Sequence, residues 1–354
     1  MAHPADPAIS DWTFVRRVLI VLAIGALALA LWVLSDLLLL IFAAVLCALA
    51  LRALTAPLIN ATGLNQAVAL ALVVLLIVAL CAGLVLQFGS RLSDQISYLM
   101  QNVPQALQSL SHQLDLGSVS KEVGGSAIGA LAARALTIGS SIVGAVAGFV
   151  LVIVGGIYFA ASPGLYRRGL IALVPERWRA AVTSTIEDSN FALTRWLRAQ
   201  LIAMALVGVM TGLGMWLAGV PSPLALGLIA AATEFIPIVG PIVGAIPALL
   251  LASTQGWDLT LWALAVAVVV QQLENNVIMP FVVGKVVELP AAVGLFATVA
   301  MGLLFGPLGL LLGYPLAIVG DVAVRRLYVR EALGKPVDIP AERERHANAE
   351  DAAE

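Results

Sequence analysis

Residues Glu234 to Leu250 read EFIPIVGPIVGAIPALL. A carboxylate opens an otherwise apolar run, Pro237, Pro241 and Pro247 interrupt it, and Gly240 and Gly244 stand between them. Upstream, Ser222-Pro223 supplies a helix start, with a capping hydroxyl and a proline in the first turn. That helix is expected to run to about Ile236. Each proline removes an amide donor, so the carbonyls of Thr233, Pro237 and Val243 lose their helical partners. In hydrocarbon a freed backbone group is costly unless something satisfies it, and irregular backbone persists only inside protein or along a watery cavity. A lipid-facing position is therefore excluded. Half-helices meeting at mid-membrane offer bare carbonyls and amide ends to a ligand, as transporter sites do. Glu234 stands where the first half ends, and intramembrane carboxylates are functional as a rule.

The rest of the chain supplies the membrane that this reading needs. Of its 354 residues 61% are apolar and only 11% charged, with a mean hydropathy of +1.02. A soluble domain carries about a quarter charged residues; this chain's solvent is largely lipid. The net charge of −2 excludes little, because the position of charge matters more than its sum. Cys47 and Cys81 both lie in apolar runs and read as buried hydrophobes. They provide neither a disulfide framework nor a metal site.

Apolar runs near 18–34, 37–54, 66–88, 138–160, 199–219, 223–252, 259–281 and 291–324 make about eight membrane segments. The first, within VRRVLIVLAIGALALALWVL (Val15 to Leu34), outlasts a signal-peptide core and is read as a retained anchor. Pro57, Asn60, Gly63 and Asn65 mark a turn after the second. The expected fold is an all-α polytopic transmembrane bundle with discontinuous helices in its C-terminal half. Residues 1–16 form an N-terminal tail, 17–88 the first helices, 89–136 an outer segment, 137–330 the transport core and 331–354 a disordered tail. If 223–252 and 291–324 are re-entrant hairpins, six full crossings remain.

Of the 19 basic residues, all but Arg91, Lys121, Arg134 and Lys285 fall on one side of this arrangement. The positive-inside rule puts that side, and both termini, in the cytoplasm of a bacterial inner membrane. The Arg-rich loop 162–198 is accounted for by topology. Arg177-Trp178-Arg179 and Arg195-Trp196 fit a helix at the headgroup level, with lipid rather than nucleic acid as its partner.

In the outer segment Leu92, Ile96, Leu99, Val103, Leu107, Leu110 and Leu114 recur at helical spacing and make a narrow apolar seam, with a break at Pro104. The seam lies on the membrane or packs on a partner helix, which brings in a homo-oligomer.

A second polar cluster closes an apolar helix that Asp258 can cap. It is QQLENNVIMPFVVGKVVELP, Gln271 to Pro290, where Gln271, Gln272, Glu274, Asn275 and Asn276 crowd together. Gln271 shares a helix face with Glu274 and Asn275. Amide oxygens beside a carboxylate suit a proton, a monovalent cation or a polar solute; the alternative is interhelical hydrogen bonding with a cap at Asn275-Asn276. A third break, at Gly306-Pro307 and Pro315, loosely echoes the opening stretch.

These motifs resemble the AI-2E family of bacterial membrane transporters. The resemblance rests on ALGLIAAATEFIPIVGPIVGAIPALL (Ala225 to Leu250), the Gln271 to Pro290 stretch, GLLFGPLGLLLGYPLA (Gly302 to Ala317) and YRRGLIALVPERWR (Tyr166 to Arg179). It implies membrane transport, as signal exporter or Na⁺(Li⁺)/H⁺ antiporter. It places the family's motif positions on Glu234, Pro237, Gly240, Pro241, Gly244, Pro247, Glu274, Asn275, Asn276, Pro280 and Gly284. The leading expectation is a secondary carrier exporting a small polar, autoinducer-2-like solute, coupled to an ion gradient. The alternatives are a cation/proton antiporter and a non-transporting oligomeric scaffold. The sequence holds no ATP-binding or hydrolase motif; an enzyme, a cofactor and a catalytic metal are not expected.

Overall fold

The structure, a computed structural model, describes residues 11–79, 82–83, 86, 94, 147–237, 239–278, 289–340 and 342–343. The protein is an all-α polytopic membrane protein. Helices α1 (Asp11–Val33) and α2 (Ser35–Thr62) are separated by Leu34 alone, and the hydrogen bonds from the Leu34 amide to the Ala30 carbonyl and from the Leu38 amide to the Leu34 carbonyl carry the helical pattern across it. The chain turns at Gly63, whose φ of 68° favours glycine, and the side chain of Asn65 accepts from the Val68 amide as α3 (Gln66–Ala79) begins. The outer seam and its Pro104 break lie outside the described residues.

Helix α4 (Ala147–Ala161) bends by 88° into α5 (Pro163–Ala172). Helix α5 is exposed except at Ile171, with Tyr166 set edge-on against Phe159. Helix α6 (Glu176–Ala218) follows with 43 residues, about 65 Å at 1.5 Å per residue. That is twice the hydrocarbon thickness, so its charged first half stands outside the lipid and its apolar second half crosses.

The breaks in the C-terminal half are folds of the chain back on itself. Helices α7 (Pro223–Thr233) and α8 (Val239–Ser253) run side by side. A Cβ on Gly240 would overlap the carbonyl of Thr233, and one on Gly244 would lie 3.2 Å from the Cα of Ala230. At 15 residues α8 reaches only about 22 Å, short of a full crossing. After α9 (Trp257–Leu273) the same device recurs. The run Ala291–Ala323 is interrupted at Gly306 (φ 64°, ψ −147°), which separates arms α10 (291–305) and α11 (307–323). In one straight helix Thr298 and Gly313 would be about 22 Å apart. Here a Cβ on Gly313 would fall 2.6 Å from the Cα of Thr298.

Among the described residues five helices are long and apolar enough to cross, or six with the bent α4–α5 pair. One of the five is the Ala291–Ala332 run, which the turn at Gly306 folds into a hairpin. The eight expected segments are helical where described, apart from the turns at 234–237 and Gly306. The two of uncertain course, 223–252 and 291–324, are hairpins.

Small residues bring the helices together. Gly208 and Gly212 on α6 meet Gly227 on α7 backbone to backbone, and Gly214 packs on Val266 of α9. The main core joins α2, α6 and α11 through Leu46, Trp196, Leu312 and Ile318. Beyond α11 a π-helical stretch, Val324–Ala332, carries Arg326 to within 2.6 Å of Asp188 on α6. The Arg-rich loop and the C-terminal segment therefore share one face, as the distribution of basic residues requires.

Three local expectations are corrected. Ser222 adopts a left-handed conformation (φ 60°) and its hydroxyl makes no capping bond; Pro223 alone starts α7, which ends at Thr233 rather than near Ile236. Asp258 lies in the first turn of α9, but Gly256 is the N-cap and there is no side-chain cap. Within the segment expected to be a disordered tail, residues 331–340 and 342–343 are described, and Ile339 is 1% exposed and belongs to the main core; the rest lies outside the described residues.

Candidate functional site

The tip of the α7–α8 hairpin is built by its prolines, and the chain itself satisfies most of what they free. The Thr233 carbonyl accepts from the Ile236 amide at 3.0 Å, and the Pro237 carbonyl from the Val239 amide at 2.8 Å. The Glu234 carbonyl accepts from the side-chain amide of Gln200 on α6. The bare carbonyls expected of the broken helix are thus largely occupied. What the tip offers instead is the Glu234 side chain. Its residue is 0% exposed, and among the described residues neither carboxyl oxygen has a hydrogen-bond donor.

The Glu234 carboxyl faces that of Glu274, within side-chain hydrogen-bonding reach. Glu274 is 4% exposed and opens a π-helical turn, Glu274–Ile278, that continues α9. Such turns insert one residue per turn and often occur at functional sites. The expected cap at Asn275-Asn276 is therefore absent, and the helix widens instead. Gln271 donates from Nε2 to Glu274 Oε2 at 3.0 Å.

Both carboxyls line a cavity of about 220 Å³ between α6, the α7–α8 hairpin and α9. Pro241, Gly244, Gln271 and Thr211 share its wall, and most of the remaining lining is aliphatic. No Lys, Arg or His is among the lining residues. Two like charges buried side by side with no basic residue beside them among the described residues are strongly disfavoured. The pair needs a compensating cation, which a proton or a metal ion supplies. The volume holds several waters at about 30 Å³ each, below the few hundred Å³ usual for organic-ligand pockets.

The structure therefore brings together Glu234, Pro241, Gly244, Gln271 and Glu274 from the predicted set. Pro237, Gly240 and Pro247 shape the hairpin without lining the cavity. Gln272, Asn275 and Asn276 are exposed, with Asn276 donating back to the Gln272 carbonyl at 2.9 Å. Pro280 and Gly284 lie outside the described residues. Three contributors were not predicted. Gln200 and Thr211 are buried polar residues in the apolar half of α6, a signal present in the sequence. Trp196 sits between the hairpins, edge-on to Phe235 at 5.7 Å and stacked on Tyr314 at 5.8 Å; a tryptophan at a span's edge gives no such hint.

Known proteins fit this architecture. The profile of the AI-2E family transporters matches residues 19–328. "Putative transport protein YrrI" of Bacillus subtilis is 34% identical over 158 residues, 45% of each chain. The alignment thus spans under half of that relative's length. "Putative transport protein MT0215" of Mycobacterium tuberculosis is 28% identical over 330 residues, covering 88% of this chain and 89% of that one. "AI-2 transport protein TqsA" of Escherichia coli is 29% identical over 131 residues, 36% of this chain and 38% of its own.

Proposed function

The chain belongs to the AI-2E transporter family, and from that premise we propose that it is a secondary carrier whose Glu234–Glu274 pair binds a proton and a monovalent cation in alternation. The observation that carries this reading is the buried Glu234 carboxyl facing Glu274 in a half-open cavity, with no hydrogen-bond donor to it and no basic residue in the lining among the described residues. A proton shared between the carboxyls removes one charge. A Na⁺ or Li⁺ ion coordinated by their oxygens, with Gln271 and Thr211 alongside, compensates the same charge and displaces the proton. Competition for one site is what couples two ion fluxes.

The hairpins supply a route for alternating access. Segment 223–253 enters from the side opposite the basic face, and 291–323 returns to the basic face. Hairpins of opposite orientation, set on either side of Trp196, allow either side to open onto the site. In a bacterial inner membrane the basic face and both termini are cytoplasmic.

A second reading is export of a small polar solute driven by this ion site. The name of the Escherichia coli relative favours it, as do the amide of Gln271 and the hydroxyl of Thr211 at the cavity wall. The cavity volume favours the ion. Adding Na⁺ or Li⁺ to purified protein in weakly buffered detergent tests the reading. The expected result is proton release from the wild type and none from Glu234→Gln; a wild type that releases no proton with either ion overturns it.

A further inference from the structure

The C-terminal segment after Gly334 is fastened across the basic face by contacts that the ion site does not use. Gly334 (φ 63°) reverses the chain, and the Lys335 amide donates back to the Val329 carbonyl. From there Val337 packs on the main core and Ile339 is buried within it, in the cluster that contains Leu193, Trp196 and Val322. Glu342 then spans two arginines, with Oε1 3.0 Å from Arg326 and Oε2 2.8 Å from Arg330. Arg330 also donates to the Val337 carbonyl at 2.9 Å.

Arg326 is the junction. It is paired with Asp188, which is fully buried on α6, and it stands on the π-helical stretch that continues α11 without a break. Three things thus meet at one guanidinium: the extramembrane half of α6, the inner arm of the 291–323 hairpin and the tail. Any movement of that hairpin against α6 has to strain or break this junction. The tail is held by the buried Ile339, by Val337 against the core, by the bond from Arg330 to the Val337 carbonyl and by the two ion pairs of Glu342, of which the one with Arg330 is partly exposed; such a pair is weak and sensitive to salt. That is a fastening suited to release.

We propose that the segment carrying Val337, Asp338, Ile339 and Glu342 is a releasable strap, which when docked locks the 291–323 hairpin to α6 and when undocked frees it to move. The proposal does not depend on which solute or ion the protein carries.

Hydrogen–deuterium exchange on the full-length protein tests it, with wild type compared with Glu342→Gln and Ile339→Ser. In the wild type the peptide around Ile339 is expected to be protected. Either substitution is expected to speed its exchange about tenfold and that of 291–323 severalfold, with α1 unchanged. Rapid exchange around Ile339 in the wild type would overturn the docked strap. Faster exchange of the tail with no change in 291–323 would overturn its hold on the hairpin. Glu342→Gln guards against misfolding by Ile339→Ser, since Glu342 is partly exposed at the surface.

Discussion

The side-chain amide of Gln200 donates to the main-chain carbonyl of Glu234, where α7 stops and the hairpin tip begins. Both residues are buried, so the bond fixes the tip to α6 at the depth of the carboxyl pair. Gln200→Leu leaves a buried carbonyl without a donor, a loss of about 1–3 kcal/mol. The variant is expected to melt at a lower temperature and to bind the coupling cation more weakly, because the Glu234 carboxyl is no longer held in place. Thermal melting with and without Na⁺ checks both effects.

The hairpins close on glycine. A Cβ on Gly240 overlaps the Thr233 carbonyl, and one on Gly309 overlaps the Met301 carbonyl. Gly240→Ala and Gly309→Ala must spread their arms, at about 1–3 kcal/mol or more. Gly306→Ala meets open space but forces a non-glycine residue to φ 64°, ψ −147°, a strain of about 1–3 kcal/mol. Gly25→Ala, with nothing near its Cβ, is the neutral comparison. All four are ranked by melting in detergent.

Asp188 and Arg326 form the buried pair at the basic face. Arg326→Gln removes the guanidinium that lies 2.6 Å from the buried aspartate, a loss of about 3–5 kcal/mol. Asp188→Asn combined with Arg326→Gln is expected to recover part of it, since no net charge is then left behind. A melting cycle over the two single variants and the double variant measures the coupling; strictly additive effects would mean that the pair is not the junction described above.

The strap carries a pH dependence. Burial pushes the Glu342 carboxyl up, but the hydrogen bond from Arg330 and the charges of Arg326 and Arg330 outweigh it and hold the group below the usual glutamate range. A carboxyl lowered in the folded state stabilises it above the ordinary glutamate value and loses that contribution as pH falls through its own lower value. The groups around it are Arg326 and Arg330 on the π-helical stretch and, across Arg326, Asp188 on α6. Protection at Ile339, taken relative to the unstructured exchange rate at each pH, is therefore expected to hold from neutral pH down to the glutamate range and to fall below it. In Glu342→Gln that fall is expected to be absent.

How much of this was legible in the sequence follows from what each feature depends on. Prolines and glycines are local rules, so the breaks around Pro237, Pro241 and Gly306 could be read directly. That each break is a reversal rather than a kink depends on Gly240 and Gly313 meeting distant backbone, which no local rule states. Glu234 and Glu274 stood out as charges in apolar surroundings. Their meeting depends on the crossing of α6, α7 and α9 through Gly208, Gly212 and Gly227. The amides went the other way: Gln272, Asn275 and Asn276 share the cluster with Gln271 in sequence, but a π turn fans them outward. The buried Ile339 was missed because its neighbours are polar and the residues that bury it lie on α2, α6 and α11.

The central claim is that Glu234 and Glu274 act as one cation-exchanging pair. The most direct test is proton movement in proteoliposomes that hold an internal pH dye, with Na⁺ or Li⁺ added outside, for wild type and for Glu274→Gln at matched insertion. The expected result is a cation-driven pH change in the wild type, reduced at least tenfold in the variant. An undiminished change in Glu274→Gln would contradict the account.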